Sequence, residues 1–265
     1  MASGTKKKGT SGKAVRSARA SVVTRTHVPG GTISAVIGVV ALAAVVVTYY
    51  LVQSAPKRAL ADWTPSASNP DPSLKLEGIK TVKYAGSVHV LPTERVAYDQ
   101  SPPFGGPHDG YWATCTGTVY KTAVRNENMV HALEHGTVWI AYNPDQVKGD
   151  ALTTLTSKVQ GKPYSMISPY PGLDKPISLQ SWGHQLKVDS AGDERIDEFI
   201  TALRANNSTT PEIGASCDAL GAGMFDPDNP PPFDPAPPGP DAKPMDYQGS
   251  QGAQQEGAAA GMPTG

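Results

Sequence analysis

Between Ile33 and Val52 the chain reads ISAVIGVVALAAVVVTYYLV, and none of these residues carries a charge. A helix of about 20 such residues spans about 30 Å of hydrocarbon. A soluble core does not need a run of that length, so the sequence predicts a transmembrane helix over residues 31–53. Tyr49 and Tyr50 fall near its outer end, where aromatic rings favour the membrane interface.

The preceding residues 1–30 form an arm with Lys6, Lys7, Lys8, Lys13, Arg16, Arg19 and Arg25 and no acidic residue. Positive charge ahead of a span places that arm in the cytoplasm and everything after the span outside it. The rival reading is a cleaved signal peptide, since Ala59-Leu60-Ala61 offers an A-x-A site. The apolar run exceeds the ~7–15 residues of an ordinary signal core, which favours a retained anchor in the lipid bilayer. No cysteine lies near the span, which argues against a lipoprotein.

Removing the seven arm residues from 23 basic residues leaves 16 against 24 acidic ones. A basic arm on an acidic body does not fit a nucleic-acid-binding domain, whose folded part should itself be basic. The expected partners are the bilayer and a membrane-protein complex, with no nucleic acid.

Residues 54–75, with SASNPDPS and no apolar periodicity, read as a stalk. Residues 224–265, with DPDNPPPFDPAPPGPDAKP and a Gly/Ala/Gln end, read as a disordered tail with polyproline character in its first half. Between them, residues 76–223 are long enough for one core. SVHVL, TVWIAY, YSMIS, ISLQSW and HQLKV read as strands. VRNENMVHALEH reads as a helix stopped at Gly136, and ALTTLTSKVQ as one stopped at Gly161. In DERIDEFITAL, Ile196, Phe199, Ile200 and Leu203 recur at helical spacing. Short strands and helices without a strict βαβ rhythm predict an α+β domain with a small mixed sheet and about three helices. No G-x-G-x-x-G follows a strand, which excludes a dinucleotide fold.

Cys115 and Cys217 are the only cysteines, and both follow the span. Outside the cytoplasm such a pair reads first as a disulfide. A thiolate metal ligand at Cys115 is the weaker alternative, since no C-x-x-C partner accompanies it.

The chemistry-bearing stretch is MVHALEHGTVW. His131 and His135 stand at i and i+4 and project from one helix face, so both can reach one ion. His108 or His89 is the natural supplier of a further ligand, with Glu134 as an extra ligand or an orienting group, and the ions expected are zinc or copper. The plainer reading has His135 bonding the last carbonyls of the helix, and Glu134 facing solvent or pairing with Arg125 or His131. H-x-x-E-H is also a peptidase signature, but that chemistry needs a continuing helix and a later carboxylate, such as Glu194 or Glu198. Gly136 ends the helix at once, so a metallohydrolase using Glu134 is the weaker alternative to a non-catalytic module. SPPFGGPHDGYW is a stiff, shaped loop presenting His108. Ser101 or Ser181 could be offered as a nucleophile, but no G-x-S-x-G elbow occurs. His27 falls in the arm, and His184 in SWGHQ completes the histidines.

PPFGGPH, VHALEHGTVWIAYNP, PYPGLDKPISLQSWGH and FITALRANNSTTPE, in that order, resemble the bacterial family called domain of unknown function 3105. The resemblance runs from Ile79 to Glu212. His131, Glu134, His135 and Gly136 match its H-x-L-E-H-G motif, and His108 matches its P-P-[T/S]-S-G-x-H motif. Phe104 and Gly105 depart from the usual hydroxyl pair, which argues against a serine nucleophile. The resemblance implies a membrane-anchored domain and a site location, with no established activity.

Overall fold

The computed structural model describes residues 30–221 and 223–249, with side chains left aside at 53–58. Most of the basic arm and the end of the tail, residues 1–29 and 250–265, fall outside the described residues. The chain divides into an N-terminal unit ending at Ser54 and a second unit beginning at Ala55.

Helix α1 (Gly30–Ala59) contains the apolar run, with a mean hydropathy of 2.5 over Gly30–Val52. Its large apolar side chains from Ile33 to Val52 are exposed on every side. A helix apolar all round has no polar face to turn to water, so it suits a bilayer or a signal-sequence role.

The second unit is an α+β domain. Two short 3₁₀ turns, Ala61–Trp63 and Pro72–Lys75, open it, and Trp63 packs against the core while Pro72 and Ser73 are buried. The segment expected to be a stalk thus meets the domain through Trp63, through buried Pro72 and Ser73, and through Asp71, which pairs with His184. There follow β1 (Lys80–Thr81), β2 (His89–Val90), β3 (His108–Asp109), β4 (Thr116–Val119), α2 (Asn126–Glu134), β5 (Val138–Tyr142), α3 (Gly149–Val159), β6 (Ser165–Pro169), β7 (Ile177–Ser181), β8 (His184–Val188) and α4 (Arg195–Leu203). Six strands make one mixed sheet in the order β1-β8-β7-β5-β6-β4, with β5 and β4 parallel to β6 and the other pairs antiparallel. The remaining two, β2 and β3, pair parallel beside it.

Strand β5 explains why the domain has two cores. Side chains alternate across a strand, so Val138, Ile140 and Tyr142 face one side and Trp139 and Ala141 the other. The first side is closed by Leu155 and Val159 of α3 and by Ile196, Phe199, Ile200 and Leu203 of α4. The second is closed by Met129, Val130 and Leu133 of α2, with Trp112, Trp182 and Phe104. The candidate site lies on this second side. Cys115 and Cys217 form a disulfide across 102 residues of sequence.

The Pro-rich segment does not leave the domain at residue 224. Phe225 is fully buried against Tyr120, and Phe233 stacks obliquely on Tyr170. Backbone bonds tie Pro231 to Arg125 and Ala123 to Phe233, and Lys243 bridges to Arg95 and Ala97. Two aromatic anchors and a set of backbone bonds suffice to hold a segment whose average composition reads as disordered.

Candidate metal centre

Helix α2 ends where the sequence says it must. Gly136 adopts a φ of 91°, a conformation open to glycine at little cost. A Cβ there would meet Thr210 Oγ1 at 2.7 Å, so the residue is also required for close approach. The backbone of residues 205–212 runs against this corner: Ala205 donates to the Gly136 carbonyl and Glu212 to the Glu134 carbonyl. That contact brings the Glu212 side chain to His135, whose Nε2 lies 3.3 Å from its Oε2.

On the other flank, β2 pairs with β3 so that His89 stands directly opposite His108. Helix α2 packs on β3 and lays His131 between them. The rings of His89 and His131 stack at 5.1 Å, those of His108 and His131 lie 4.8 Å apart, and those of His131 and His135 4.7 Å apart. Trp112 walls off His131 and His135, and Trp182 walls off His108. His89, His108, His131 and Glu134 are all buried, with one ligand atom of each within 4.8 Å of the others. His131, His135 and Glu212 form a second such group.

A carbonyl oxygen only accepts hydrogen bonds, so an imidazole nitrogen facing one must carry the proton. Nδ1 of His108 donates to Gly106 O at 2.8 Å, Nδ1 of His131 to Asp109 O at 2.6 Å, and Nδ1 of His135 to Ser216 O at 2.6 Å. In its neutral form each of these three rings then has its lone pair at Nε2. Backbone carbonyls fix ring orientation and tautomer in this way around metal-binding histidines. His89 goes further, since neither ring nitrogen has a hydrogen-bond partner.

Glu134 faces this set from α2. Its Oε1 accepts from the Ser87 N–H at 2.6 Å, and Gly86 makes that approach feasible: a Cβ there would stand 2.5 Å from the same oxygen. Its Oε2 lies 2.9 Å from His108 Nε2, off the line of a hydrogen bond. Two lone-pair-bearing atoms that close in a water-free site repel, and a cation or a second proton on His108 relieves them. Ligands each about 2.0–2.1 Å from one ion stand about 2.8–3.4 Å apart, so this edge already has a coordinating separation.

The titration of the rings follows from their surroundings. Burial, then the neighbouring imidazoles of His108, His135 and His89, holds His131 well below the ordinary histidine range. Burial and the adjacent His108 push His89 down to about 4. Burial alone would lower His108 too, but the Glu134 carboxylate carries it above the ordinary value. Glu212 is held below the usual carboxylate range, chiefly by His135. His89 and His131 held neutral, His108 oriented through its Nδ1 and a buried carboxylate are a donor set that could hold a metal ion.

The other residues singled out from the sequence lie elsewhere. His184 is satisfied at both nitrogens, by Trp182 O and Asp71 Oδ2. Arg125 pairs with Asp109 and Glu127, not with Glu134. Ser101 Oγ contacts Tyr170 Oη, and Ser181 is buried in β7 opposite His184. Glu198 is on α4 and Glu194 is its N-cap, in the other core's layer. Cys115 is committed to its disulfide and is no thiolate ligand. Sequence reasoning missed Glu212 and the carbonyls of Gly106, Asp109 and Ser216. Glu212 closes the STTPE stretch, whose only signal was its place in a recurring motif.

An α+β domain with a buried histidine–carboxylate cluster is thus the class that fold and site define. The model of the family described as Protein of unknown function (DUF3105) matches residues 89–219 of the chain. The match opens at His89 and takes in His108, His131, Glu134, His135 and Glu212. No curated protein and no solved structure matches the chain.

Proposed function

We propose that the protein is a membrane-anchored, extracytoplasmic metal-binding module that holds one zinc or copper ion through His89, His108 and His131 with Glu134, as an accessory to an envelope or membrane complex. The observation that carries this reading is the backbone clamping of Nδ1 in His108 and His131, which leaves both Nε2 lone pairs beside a buried carboxylate and a histidine with no partner. Packing alone accounts well for His184, which is satisfied on both sides, and poorly for His89. All donors are nitrogen or oxygen, which suits zinc and copper by ligand type and affinity order.

Hydrolysis is the less supported reading. A metal-assisted general base needs a carboxylate turned toward water and an open coordination position. Glu134 is fully buried, with one oxygen on Ser87 and the other on His108. Anchoring with the arm inside is supported by the seven basic residues ahead of the span and by the disulfide after it.

Elemental analysis of the detergent-solubilised full chain, dialysed against zinc or cupric salt and then against buffer, tests the metal. One retained ion per chain is expected, and loss of it in Glu134→Gln; a wild-type chain that retains neither metal refutes the reading. A reporter enzyme active only outside the cytoplasm, fused after Asp62, tests the orientation.

A further inference from the structure

His131 belongs to both candidate groups. The inner group is His89, His108, His131 and Glu134; the outer is His131, His135 and Glu212. Their accessibility differs in one respect. The inner residues and His135 are all buried, whereas the Glu212 side chain is 36% exposed and forms the outward edge of the set.

The shared residue decides how the two groups can work together. Nδ1 of His131 is committed to the Asp109 carbonyl at 2.6 Å, so Nε2 is its one available lone pair. One lone pair coordinates one ion. Both groups cannot therefore be complete at once. The rings of His108 and His135 each lie less than 5 Å from that of His131. An ion leaving one group for the other would travel a few ångströms while keeping His131 as a ligand throughout.

We propose that the two groups are successive stations for a single divalent cation: an outer station at Glu212, His135 and His131 that takes the ion from solvent, and an inner station at His131, His108, His89 and Glu134 that retains it. The proposal rests on the metal-binding reading above and adds the route. Glu212 supplies a carboxylate at the protein surface, where a hydrated cation can exchange its first waters. His135, oriented by Ser216 O, supplies the first imidazole. His131 then carries the ion past the Trp112 wall to His108 and Glu134, whose close Nε2–Oε2 contact the ion relieves. No bond other than metal–ligand coordination is made or broken.

Loading kinetics of the metal-free, detergent-solubilised full chain test this, with zinc ion delivered from a metallochromic indicator and bound ion counted at equilibrium. Wild type should bind one ion per chain. Glu212→Gln, at a partly exposed position and with its shape kept, should still bind one ion but load about tenfold more slowly, the low end of what a local charge contributes to capture. Glu134→Gln should load quickly and fail to retain the ion on dialysis. His135→Ala should repeat the slow loading; if it does not fold by near-UV dichroism, Glu212→Gln and Glu212→Ala carry the test. Two ions per wild-type chain, or unchanged loading in the Glu212 variants, overturns the stations while leaving the metal site intact. A wild-type chain with no bound ion overturns the site itself.

Discussion

Nε2 of His108 and Oε2 of Glu134 stand 2.9 Å apart with no hydrogen-bond partner for either atom, in a place neither can share with water. The contact leaves the buried carboxylate in need of a proton on His108, or of a cation in its place. His108→Ala leaves the Glu134 carboxylate buried without a counter-charge. Breaking a buried pair from one side costs about 3–5 kcal/mol. Glu134→Gln removes the charge and keeps an acceptor for Ser87, so it should cost less than about 2 kcal/mol. Urea unfolding of the metal-free protein orders the two variants.

The same contact sets the response to metal. An ion that binds only the folded state at a thousand times its dissociation constant stabilises by about 4 kcal/mol. Wild type should gain thermal stability on addition of zinc or cupric ion, measured by scanning calorimetry, and Glu134→Gln should gain almost none. An equal gain in both proteins would mean that the ion binds elsewhere.

Gly86 supports the cluster without belonging to it. A methyl group there would meet Glu134 Oε1 at 2.5 Å and Pro211 Cβ at 3.2 Å. Gly86→Ala should therefore displace the carboxylate, cost about 1–3 kcal/mol and weaken metal retention. Gly192→Ala, whose added Cβ meets nothing nearer than Ser190 Oγ at 3.7 Å, is the control and should leave both unchanged.

Much of the domain was legible because local and global preferences agree. Ile196, Phe199, Ile200 and Leu203 recur every three or four residues, and all four are buried in α4. Gly136 follows His135 and stops α2 on schedule. The same-face pair His131 and His135 pointed to the cluster because helix geometry is fixed. Glu212 did not, since it reaches His135 through a backbone contact between segments far apart in sequence, with no local pattern to announce it. SVHVL reads as a strand and contains β2, but β3 is two residues long, too short for period-two alternation to register, and it is the pairing of the two that faces His89 to His108. The docking of Phe225 and Phe233 was missed because average composition hides two aromatic residues among many prolines, and a few anchors decide docking.

Asp71 gives the domain an acid-labile contact away from the cluster. Its side chain accepts from the backbone and hydroxyl of Ser73 and lies 2.9 Å from His184 Nε2. Burial alone would raise its pKa, but the bonds from His184 and Ser73 hold it below the ordinary value. A carboxyl depressed in the folded state contributes stability above its unfolded pKa of about 3.9 and loses it as pH falls through the folded value. Asp71→Asn should thus be less stable than wild type at pH 6. The gap should close as pH drops below about 4, followed by urea midpoints across that range.

Phe225 separates a docked segment from a free tail. Its side chain is fully buried, with its ring edge-on to Tyr120 at 6.2 Å, in the same core that holds α2 and the cluster. Removing a buried phenylalanine side chain costs about 3–5 kcal/mol when the cavity cannot collapse. Phe225→Ala should therefore lower stability by that order, and a chain ended at Gly223 should lose at least as much, because Phe233 and the backbone bonds to Ala123, Arg125 and Arg95 go with it. An exposed residue of a solvated tail would change stability by less than about 0.5 kcal/mol. Chemical unfolding of the two variants decides between these values.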